Sequence, residues 1–388
     1  MTLRSLLSVV GGICVAATAP AQTTWIVYAG GGPGVHFLDL PSAVAAAADG
    51  DTIIVRAGPF NEGAAPFVTS KGLTIVGEGG QVPITSSTTN PFVVTDLPPT
   101  STFRMVGFQG YMHFFNLSFD VTNCAGKVHL ERLISDNHAS PLPPFSPAFR
   151  IFNSANVTLR DIANYGAPAV QIDSSNVALV GCQLGFSVGG QALRANYSTV
   201  DIVEPRFDPV YAVPNGTIEL LYCTTRMTGS SAALVKNYSS SPVGQPVVKC
   251  HGGTLQYDPG LPIVNTPSGP AFLGTTVRTA IAVPASFTAA AMPGQSLGIT
   301  TIAPAGAAVV PALGTPGFMQ ATPLGTLGID IGAAYSLLAP MVVPASGIVT
   351  VTLTVPAGLP RGQAYATQSV VVTASDLQIG LPCTFVLH

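Results

Sequence analysis

Residues 156–180 read NVTLRDIANYGAPAVQIDSSNVALV, and they begin and end on the same short pattern. The pattern is a polar residue followed by two aliphatic residues that are separated by one position, as in Val157-Thr158-Leu159 and Val177-Ala178-Leu179. Three further copies begin at Lys127, Thr199 and Thr217, so that consecutive copies start 29, 20, 23 and 18 residues apart. A recurrence of roughly 20–30 residues is typical of solenoid proteins, in which each copy forms one coil.

The aliphatic pair of each copy predicts a strand with one buried face. Residues two apart point to the same side of a strand, so Val157 and Leu159 are expected to point inward and Thr158 outward. Equivalent residues of successive coils would then stack about 4.8 Å apart. Pairs such as Asn215-Gly216 suit the bends between strands. The sequence therefore predicts an all-β fold with a right-handed parallel β-helix over residues 22–272.

A different pattern precedes the repeats at residues 37–63, FLDLPSAVAAAADGDTIIVRAGPFNEG. Asp39 can cap a helix that has Pro41 in its first turn and continues through an alanine-rich run. Gly50 can adopt the left-handed backbone that ends a helix. Thr52–Arg56 then alternates as a strand does. A helix at this place can cover the open edge of the first coil.

This arrangement resembles the N-terminal cap of the pectin-lyase-like β-helix superfamily. The matching residues are Ala43, Val44, Ala46, Ala47, Gly50, Asp51, Thr52, Ile53, Val55, Gly58, Phe60 and Glu62, and residues 71–79 are similar to the next strand of that family. The resemblance implies a right-handed parallel β-helix with a cap helix.

The catalytic motifs of the known enzymes in that superfamily are not matched. Polygalacturonase-like enzymes have an Asp-Asp pair and a Gly-His-Gly, whereas this chain has no Asp-Asp and only Cys250-His251-Gly252-Gly253. The Gln-Asp of pectin methylesterase-like enzymes does not occur, and neither do the Asp-His strand and the Arg-x-Pro-x-x-Arg of pectate lyase-like enzymes. The resemblance therefore implies the fold and does not extend to an activity.

Residues 1–21 have the features of a secretory signal peptide. Arg4 is followed by the apolar stretch Leu6–Ala19, and Ala19 and Ala21 are small residues suited to cleavage before Gln22. Later apolar stretches are interrupted by proline, whereas a spanning helix needs about 20 apolar residues in succession. We therefore expect a mature chain without a transmembrane segment, located outside the cell or at the cell surface.

Charge is scarce, since 9% of residues are charged and 47% are hydrophobic. Soluble domains usually contain about 25% charged residues. Glycine and proline number 41 and 34, which favours many strands joined by turns. The formal net charge is −3 and no basic patch is present, which argues against nucleic acid as a partner.

Residues 273–388 lack the repeat. From Thr279 onward the charged side chains are Asp330, Arg361 and Asp376. The stretches 342–355 and 364–374 alternate small polar and β-branched residues as strands do. We expect a separate C-terminal β-sandwich module.

The repeat alignment places the acidic and basic groups of the middle region on two neighbouring coils. Asp201 and Glu219 occupy the outward position in successive copies, so the two carboxylates are expected to lie one strand spacing apart. Carboxylates that close raise one pKa or bind a cation, which suggests calcium at this pair and no other cofactor. The candidate catalytic residues are Asp201, Glu204, Asp208, Glu219, Arg206 and Arg226. The alternative is a solvated face on which these groups form salt bridges.

Five cysteines follow the signal peptide, namely Cys124, Cys182, Cys223, Cys250 and Cys383. An odd, sparse set without Cys-x-x-Cys spacing is neither a disulfide framework nor a zinc site. The alignment places Cys182 and Cys223 in one inward column but two coils apart, which is too far for a disulfide. Both are expected to be buried thiols.

Three functions are consistent with these features. The first is a non-catalytic secreted or cell-surface protein that binds a polysaccharide or another extracellular partner, because long stacked faces suit extended ligands. The second is a carbohydrate-active enzyme, a polysaccharide lyase or glycoside hydrolase, acting on an acidic polysaccharide through the candidate residues. The third is a structural surface protein whose nearly uncharged C-terminal region mediates association.

Overall fold

A computed structural model shows a parallel β-solenoid that is followed by antiparallel sheets. The signal peptide and the cap-motif residues Gly58, Phe60 and Glu62 lie outside the described residues. The structure describes residues 22–57, 67–79, 81–84, 92–111, 118–136, 147–164, 169–185, 191–208, 217–230, 232–237, 245–266, 269–288, 292–359 and 361–387.

The solenoid contains helix α1 (Leu40–Ala46) and, in the described part of the chain, 24 strands. These strands are β1 (Thr24–Val27), β2 (Thr52–Arg56), β3 (Val68–Thr69), β4 (Thr74–Glu78), β5 (Val82–Ile84), β6 (Phe92–Thr95), β7 (Thr102–Tyr111), β8 (Phe119–Thr122), β9 (Lys127–Asp136), β10 (Phe149–Phe152), β11 (Asn156–Arg160), β12 (Ala163–Asn164), β13 (Val170–Asp173), β14 (Asn176–Val180), β15 (Gln183–Leu184), β16 (Leu193–Asn196), β17 (Thr199–Val203), β18 (Arg206–Phe207), β19 (Ile218–Thr228), β20 (Leu234–Asn237), β21 (Val248–Tyr257), β22 (Ile263–Asn265), β23 (Phe272–Leu273) and β24 (Val277–Ala280).

Successive coils pair in parallel and form three sheets along the solenoid. Sheet A contains β1, β2, β4, β11, β14, β17 and β24, the first halves of β7 and β9, and the second halves of β19 and β21. Sheet B contains β5, the second halves of β7 and β9, and β12, β15, β18, β20 and β22. Sheet C contains β3, β6, β8, β10, β13, β16, the first halves of β19 and β21, and β23.

A continuous apolar core fills the solenoid. Val157, Val177 and Val200 are in direct register on sheet A, and all three are buried. The stacking that the repeats predict is therefore confirmed for these coils. On sheet C a ladder of phenylalanine rings has centroid separations of 5.1, 5.1 and 5.7 Å and consists of Phe67, Phe92, Phe119 and Phe149.

The bends on either side of sheet A use left-handed backbone. The bend from sheet A to sheet B has φ values of 48–81° at Gly107, Arg132, Asp161, Gly181 and Glu204. The bend from sheet C to sheet A has φ values of 47–56° at Asp96, Asn123, Asn153, Ser174, Tyr197 and Tyr222. This conformation is unfavourable for most side chains and is tolerated best by Gly, Asn and Asp. Left-handed residues therefore recur at these two bends in successive coils.

Helix α1 contacts β1 and β2 at the N-terminal end of the solenoid. Asp39 accepts a hydrogen bond from the backbone N–H of Ser42 at 2.8 Å, as its predicted capping role requires. At the other end, Lys71 Nζ donates to three backbone carbonyls, those of Val44, Ala45 and Ala47, at 3.0, 2.9 and 2.7 Å. These bonds satisfy acceptors that a helix end leaves unpaired. A helix is therefore present where the sequence predicts one, but it ends at Ala46, since Ala47 is extended and the left-handed Gly50 lies in the turn that follows.

The C-terminal region is built from antiparallel strands. β25, β26 and β32 form one sheet, β27, β30, β31, β33, β34 and β35 form a second, and β28 and β29 form a hairpin. Apolar side chains of the two larger sheets share a core, in which Leu297 and Ile299 lie with Phe385. The strands are β25 (Ala285–Thr288), β26 (Ser296–Ile302), β27 (Ala308–Gly314), β28 (Pro316–Thr322), β29 (Gly325–Ile329), β30 (Tyr335–Leu337), β31 (Met341–Val342), β32 (Ile348–Thr354), β33 (Ala364–Val372), β34 (Leu377–Ile379) and β35 (Cys383–Val386).

These antiparallel sheets pack on the outer face of sheet A. One apolar cluster joins Ala178, Val180 and Val203 of the solenoid to Val283, Ala285, Leu381 and Cys383. A second joins Val106 to Ala364 and Val386. The outward side chains of sheet A in these two clusters are consequently interface residues. Among the described residues, no helix is long and apolar enough to span a membrane.

Candidate functional site

Asp201 and Arg226 form an ion pair at the interface between sheet A and the C-terminal sheets. The two residues lie opposite each other on β17 and β19, and Asp201 is 4% exposed. Arg226 donates to both carboxylate oxygens, from Nε at 2.7 Å and from Nη2 at 2.5 Å, and Nη2 also lies 2.7 Å from Thr326 Oγ1. Burial raises the pKa of the Asp201 carboxyl, and the Arg226 guanidinium opposes that shift. Both oxygens are therefore engaged in fixing the interface.

The prediction that Asp201 and Glu219 lie on neighbouring coils of one sheet is wrong. Asp201 is on sheet A, whereas Glu219 is on sheet C. The physical reason is that β19 runs without interruption from sheet C into sheet A and has inward apolar residues in both halves, such as Leu220 and Met227. The repeat alignment used the sheet C half of this strand where the sheet A half belongs. The two carboxylates are therefore not placed to bind one calcium ion together. Within the described ranges, no cluster of three or more His, Cys, Asp or Glu residues is suited to a metal.

Glu219 lies on the outer surface of sheet C among basic and amide groups. Its Oε2 accepts a hydrogen bond from Gln191 Nε2 at 3.0 Å and lies 3.4 Å from Arg194 Nε. Its Oε1 lies 3.2 Å from Lys249 Nζ. The Glu219 carboxylate is therefore paired with Arg194 and Lys249, neither of which was among the candidate residues.

The remaining candidate residues lie after sheet A. Glu204 is at the bend, and its carboxylate accepts hydrogen bonds from the backbone N–H and the hydroxyl of Ser230. Asp208 forms an ion pair with Lys236 at 2.8 Å. Arg206 on β18 is exposed. The carboxylates of Glu204 and Asp208 thus each bind a residue of the next coil, Ser230 and Lys236.

A buried charged cluster on sheet A was not predicted from the sequence. Glu131 and Arg160 are fully buried, and His129 is 4% exposed. Glu131 accepts hydrogen bonds from His129 Nε2 at 2.8 Å, Arg160 Nη1 at 2.9 Å and the backbone N–H of Val386 at 3.0 Å. Arg160 Nη2 donates to the carbonyl of Thr288 at 2.5 Å. The cluster therefore joins the solenoid to the C-terminal sheets.

The pKa values of this cluster follow from burial and from Glu131. Burial lowers the pKa of His129, and the hydrogen bond to Glu131 opposes that shift. Burial alone would lower the pKa of Arg160, but the Glu131 carboxylate outweighs it and the pKa is raised. Glu131 and Arg160 each follow the aliphatic pair of their repeat and are in register. Extending the repeat alignment by one position would have placed these opposite charges side by side.

The outer face of sheet C presents mostly polar side chains in rows that repeat once per coil. We define the ladder face as two such rows and the adjoining bend residues Tyr197 and Tyr222. One row is Asp120, Arg150, Gln171, Arg194, Glu219 and Lys249, and the other is Thr122, Phe152, Asp173, Asn196, Leu221 and His251. Within the ladder face, Asp120 pairs with Arg150, and Asp173 accepts hydrogen bonds from Gln171 and Asn196.

Tyr197 and Tyr222 form an exposed aromatic pair. They are 67% and 59% exposed, and their rings are 5.2 Å apart and within 5° of parallel. Gly252 occupies the same bend on the following coil, and a Cβ there would come within 2.5 Å of the Tyr222 ring. The displaced fifth repeat segment would put Tyr222 at the other bend, so this pair does not follow from the repeat alignment. Exposed aromatic surface next to amide and carboxylate groups combines apolar contact with hydrogen bonding.

Cys182 and Cys223 do not share an inward column, because they follow different bends. Cys182 comes after the bend at Gly181, and Cys223 comes after the bend at Tyr222. Both are free and buried, as expected. Burial raises the pKa of Cys182 to about 12. Such thiols act as small apolar groups.

The comparisons with known proteins leave the family open. No protein-family model matches the chain, and a search of curated proteins finds no significantly similar relative.

Proposed function

We propose that this is a secreted or cell-surface, non-catalytic protein that binds an extended polysaccharide, and that the ladder face is its binding surface. The observation that carries this proposal is the exposed, stacked pair of Tyr197 and Tyr222 beside polar groups repeated on successive coils. The signal-peptide features of residues 1–21 support export.

The chemistry of the ladder face suits a sugar chain. Exposed aromatic surface is unfavourable in water, and the apolar C–H faces of a sugar ring can cover it. Asp173 and Asn196 lie on neighbouring strands of this face and can exchange hydrogen bonds with hydroxyl groups. Because neighbouring coils are about 4.8 Å apart, consecutive sugar units can meet equivalent side chains.

The charges of the ladder face indicate which polysaccharide it would bind. Its acidic side chains are Asp120, Asp173 and Glu219, and its basic side chains are Arg150, Arg194 and Lys249. Acidic and basic groups are therefore equal in number, and several already pair with each other. A surface without excess charge favours a neutral polysaccharide over a strongly acidic one.

The finer fold assignment belongs to the same proposal. The cap motif supports a right-handed solenoid of the pectin-lyase-like superfamily. The shared core of the antiparallel sheets supports a C-terminal β-sandwich.

The experiment is a binding screen combined with a turnover assay. The exported chain is applied to an array of neutral and acidic polysaccharides, and each ligand that binds is assayed for new reducing ends and unsaturated products. We expect retention on one class of neutral polysaccharide without product. Product formation would instead support the lyase or hydrolase alternative, and Glu219→Gln would then test the one candidate carboxylate on the ladder face. Absence of binding and turnover across the array would contradict the proposal and favour a structural role.

A further inference from the structure

A cavity of about 180 Å³ lies between sheet A and the C-terminal sheets. One wall of the cavity belongs to the solenoid and includes Arg104, Lys127, His129, Asn156 and Thr158. The opposite wall belongs to the C-terminal region and includes Thr315, Pro316, Gly317, Ala364 and Thr384. A cavity of roughly 150 Å³ can admit a benzene-sized molecule. This one therefore has room for a small ligand and not only for a single water.

Two polar atoms on the solenoid wall have no hydrogen-bond partner within the described ranges. They are His129 Nδ1 and Asn156 Nδ2, and the two residues are only 4% and 6% exposed. Buried polar atoms are rarely left unpaired, because they lose their hydrogen bonds to water. Both residues line the cavity, so a ligand there could supply the missing partners.

The same wall has an excess of positive charge. Arg104 and His129 are opposite each other on β7 and β9. Arg104 Nη1 has a long hydrogen bond of 3.3 Å to Thr74 Oγ1, and Lys127 Nζ donates to the carbonyl of Pro316 at 2.6 Å. No carboxylate is among the described lining residues. Burial lowers the pKa of Arg104 to about 10, as expected for a cation without a close anion.

We propose that this cavity binds a small oxyanion, a carboxylate or a phosphate, through Arg104, Lys127 and Asn156. A guanidinium presents parallel N–H donors to two oxygens of such a group. His129 donates from Nε2 to Glu131, so its Nδ1 can accept a hydrogen bond from a ligand hydroxyl, or donate one when the ring is protonated. The site is on sheet A and is independent of the ladder face on sheet C.

A ligand in this cavity would contact both halves of the protein. One wall comes from the solenoid and the other from the C-terminal sheets. A ligand that binds only the folded state stabilises a protein, and the gain rises with the logarithm of the ligand concentration once this exceeds Kd. The oxyanion would therefore raise the melting temperature as well as bind.

The test is isothermal titration of the full mature chain with sodium phosphate, sodium glucuronate and glucose at constant ionic strength. We expect saturable binding of at least one of the two anions and none of glucose. Phosphate alone would identify a phosphate source, and glucuronate alone an acidic sugar. Arg104→Gln should weaken binding at least tenfold. Arg278→Gln is the matched control, because that arginine is exposed on β24 in the last coil of sheet A, outside both the cavity and the ladder face, and it should leave the affinity unchanged.

A folding defect in Arg104→Gln would be recognised by circular dichroism, and Lys127→Gln then serves as the second variant. Saturable binding that both variants retain would overturn the proposal. So would the absence of saturable heat with both anions, together with a melting temperature that does not respond to them.

Discussion

Glu131 is a carboxylate that is fully removed from water yet accepts hydrogen bonds from three donors. Burying a charge is costly unless a partner and further hydrogen bonds compensate for lost hydration. Arg160 supplies the opposite charge, and Val386 supplies a backbone donor from the C-terminal strand β35. Glu131 therefore adds a buried hydrogen bond to the apolar contacts that hold this strand on the solenoid.

Glu131→Gln is expected to lower the free energy of unfolding by about 3–5 kcal/mol, because it removes the closest counterion of the fully buried Arg160 and leaves the more distant, partly exposed Asp161 beside it. Urea denaturation followed by circular dichroism measures the change. Asp120→Asn is the control, since its partner Arg150 is exposed, and it should cost at most about 1 kcal/mol. Equal losses in the two variants would show that burial of the Glu131 pair is unimportant.

His129 makes stability depend on pH. Because burial lowers its pKa below the usual value of 6.5, the unfolded chain binds this proton more readily than the folded one. The free energy of unfolding should therefore fall as the pH drops below about 6.5. The charged groups that face His129 are Glu131, Arg160 and Arg104. In phosphate-free buffer, His129→Gln should flatten the pH dependence of the free energy of unfolding between pH 7 and pH 5. An unchanged slope in His129→Gln would refute this assignment.

At the scale of single residues, the sequence predicted which side chains point inward but not which sheet each outward side chain joins. The alternation at Thr158 or Asp201 follows from strand geometry alone. Which bend Tyr222 occupies depends on the number of residues between one sheet A strand and the next sheet C strand. That number varies among the repeats, so the aromatic pair of the ladder face was not predictable from the pattern.

Strand β19 shows the same limit at the scale of elements. It covers Ile218–Thr228 and serves two sheets, with residue 222 at the bend between them. Four of the five repeat segments are in the predicted register, because each begins shortly after the bend that leads into sheet A. The fifth was displaced, since the hydrophobic alternation of β19 continues through the bend. Helix α1 and strand β2 were predictable because local capping and turn residues define their ends.

A row of serines stabilises the bend between sheets C and A. The hydroxyl oxygens of Ser154, Ser175 and Ser198 accept hydrogen bonds from the backbone N–H of Cys124, Ser154 and Ser175, at 3.2, 3.0 and 3.1 Å. Each hydroxyl thereby satisfies a buried donor of the preceding coil.

Ser175→Ala is expected to lower the free energy of unfolding by about 1–3 kcal/mol, because it leaves the buried N–H of Ser154 without its acceptor. Urea denaturation is again the measurement. Ser375→Ala, at an exposed position in the C-terminal sheets, should change stability by less than about 0.5 kcal/mol. Comparable effects at the two positions would contradict the role given to the serine row.

At the scale of the whole molecule, two outer faces of the solenoid differ in whether the C-terminal sheets cover them. The outer face of sheet A is occupied by the C-terminal sheets, through apolar clusters and through the ion pairs of Asp201 and Glu131. The outer face of sheet C exposes the ladder face. Composition indicated two regions, but it could not indicate that one covers the other, because this contact joins residues far apart in the chain.

Val180→Asp tests the contact between the two regions. Val180 is 2% exposed within the cluster that includes Val283 and Leu381, and an unpaired buried carboxylate there opposes docking. Limited proteolysis should cut the variant faster within residues 281–284, which connect β24 and β25. Val372→Asp, at a 41% exposed position, should be cut like the wild-type protein. Identical patterns for both variants would contradict the proposed packing.

Calorimetry of a double tyrosine variant tests most directly whether a polysaccharide binds at the ladder face. For the polysaccharide that binds best, Tyr197→Ala/Tyr222→Ala should reduce the affinity at least tenfold, because the stacking surface is removed. Tyr335→Ala, which removes a 49% exposed tyrosine from the C-terminal sheets, should leave the affinity unchanged. If the double variant binds as tightly as the wild-type protein while remaining folded, the ladder face is not the binding surface.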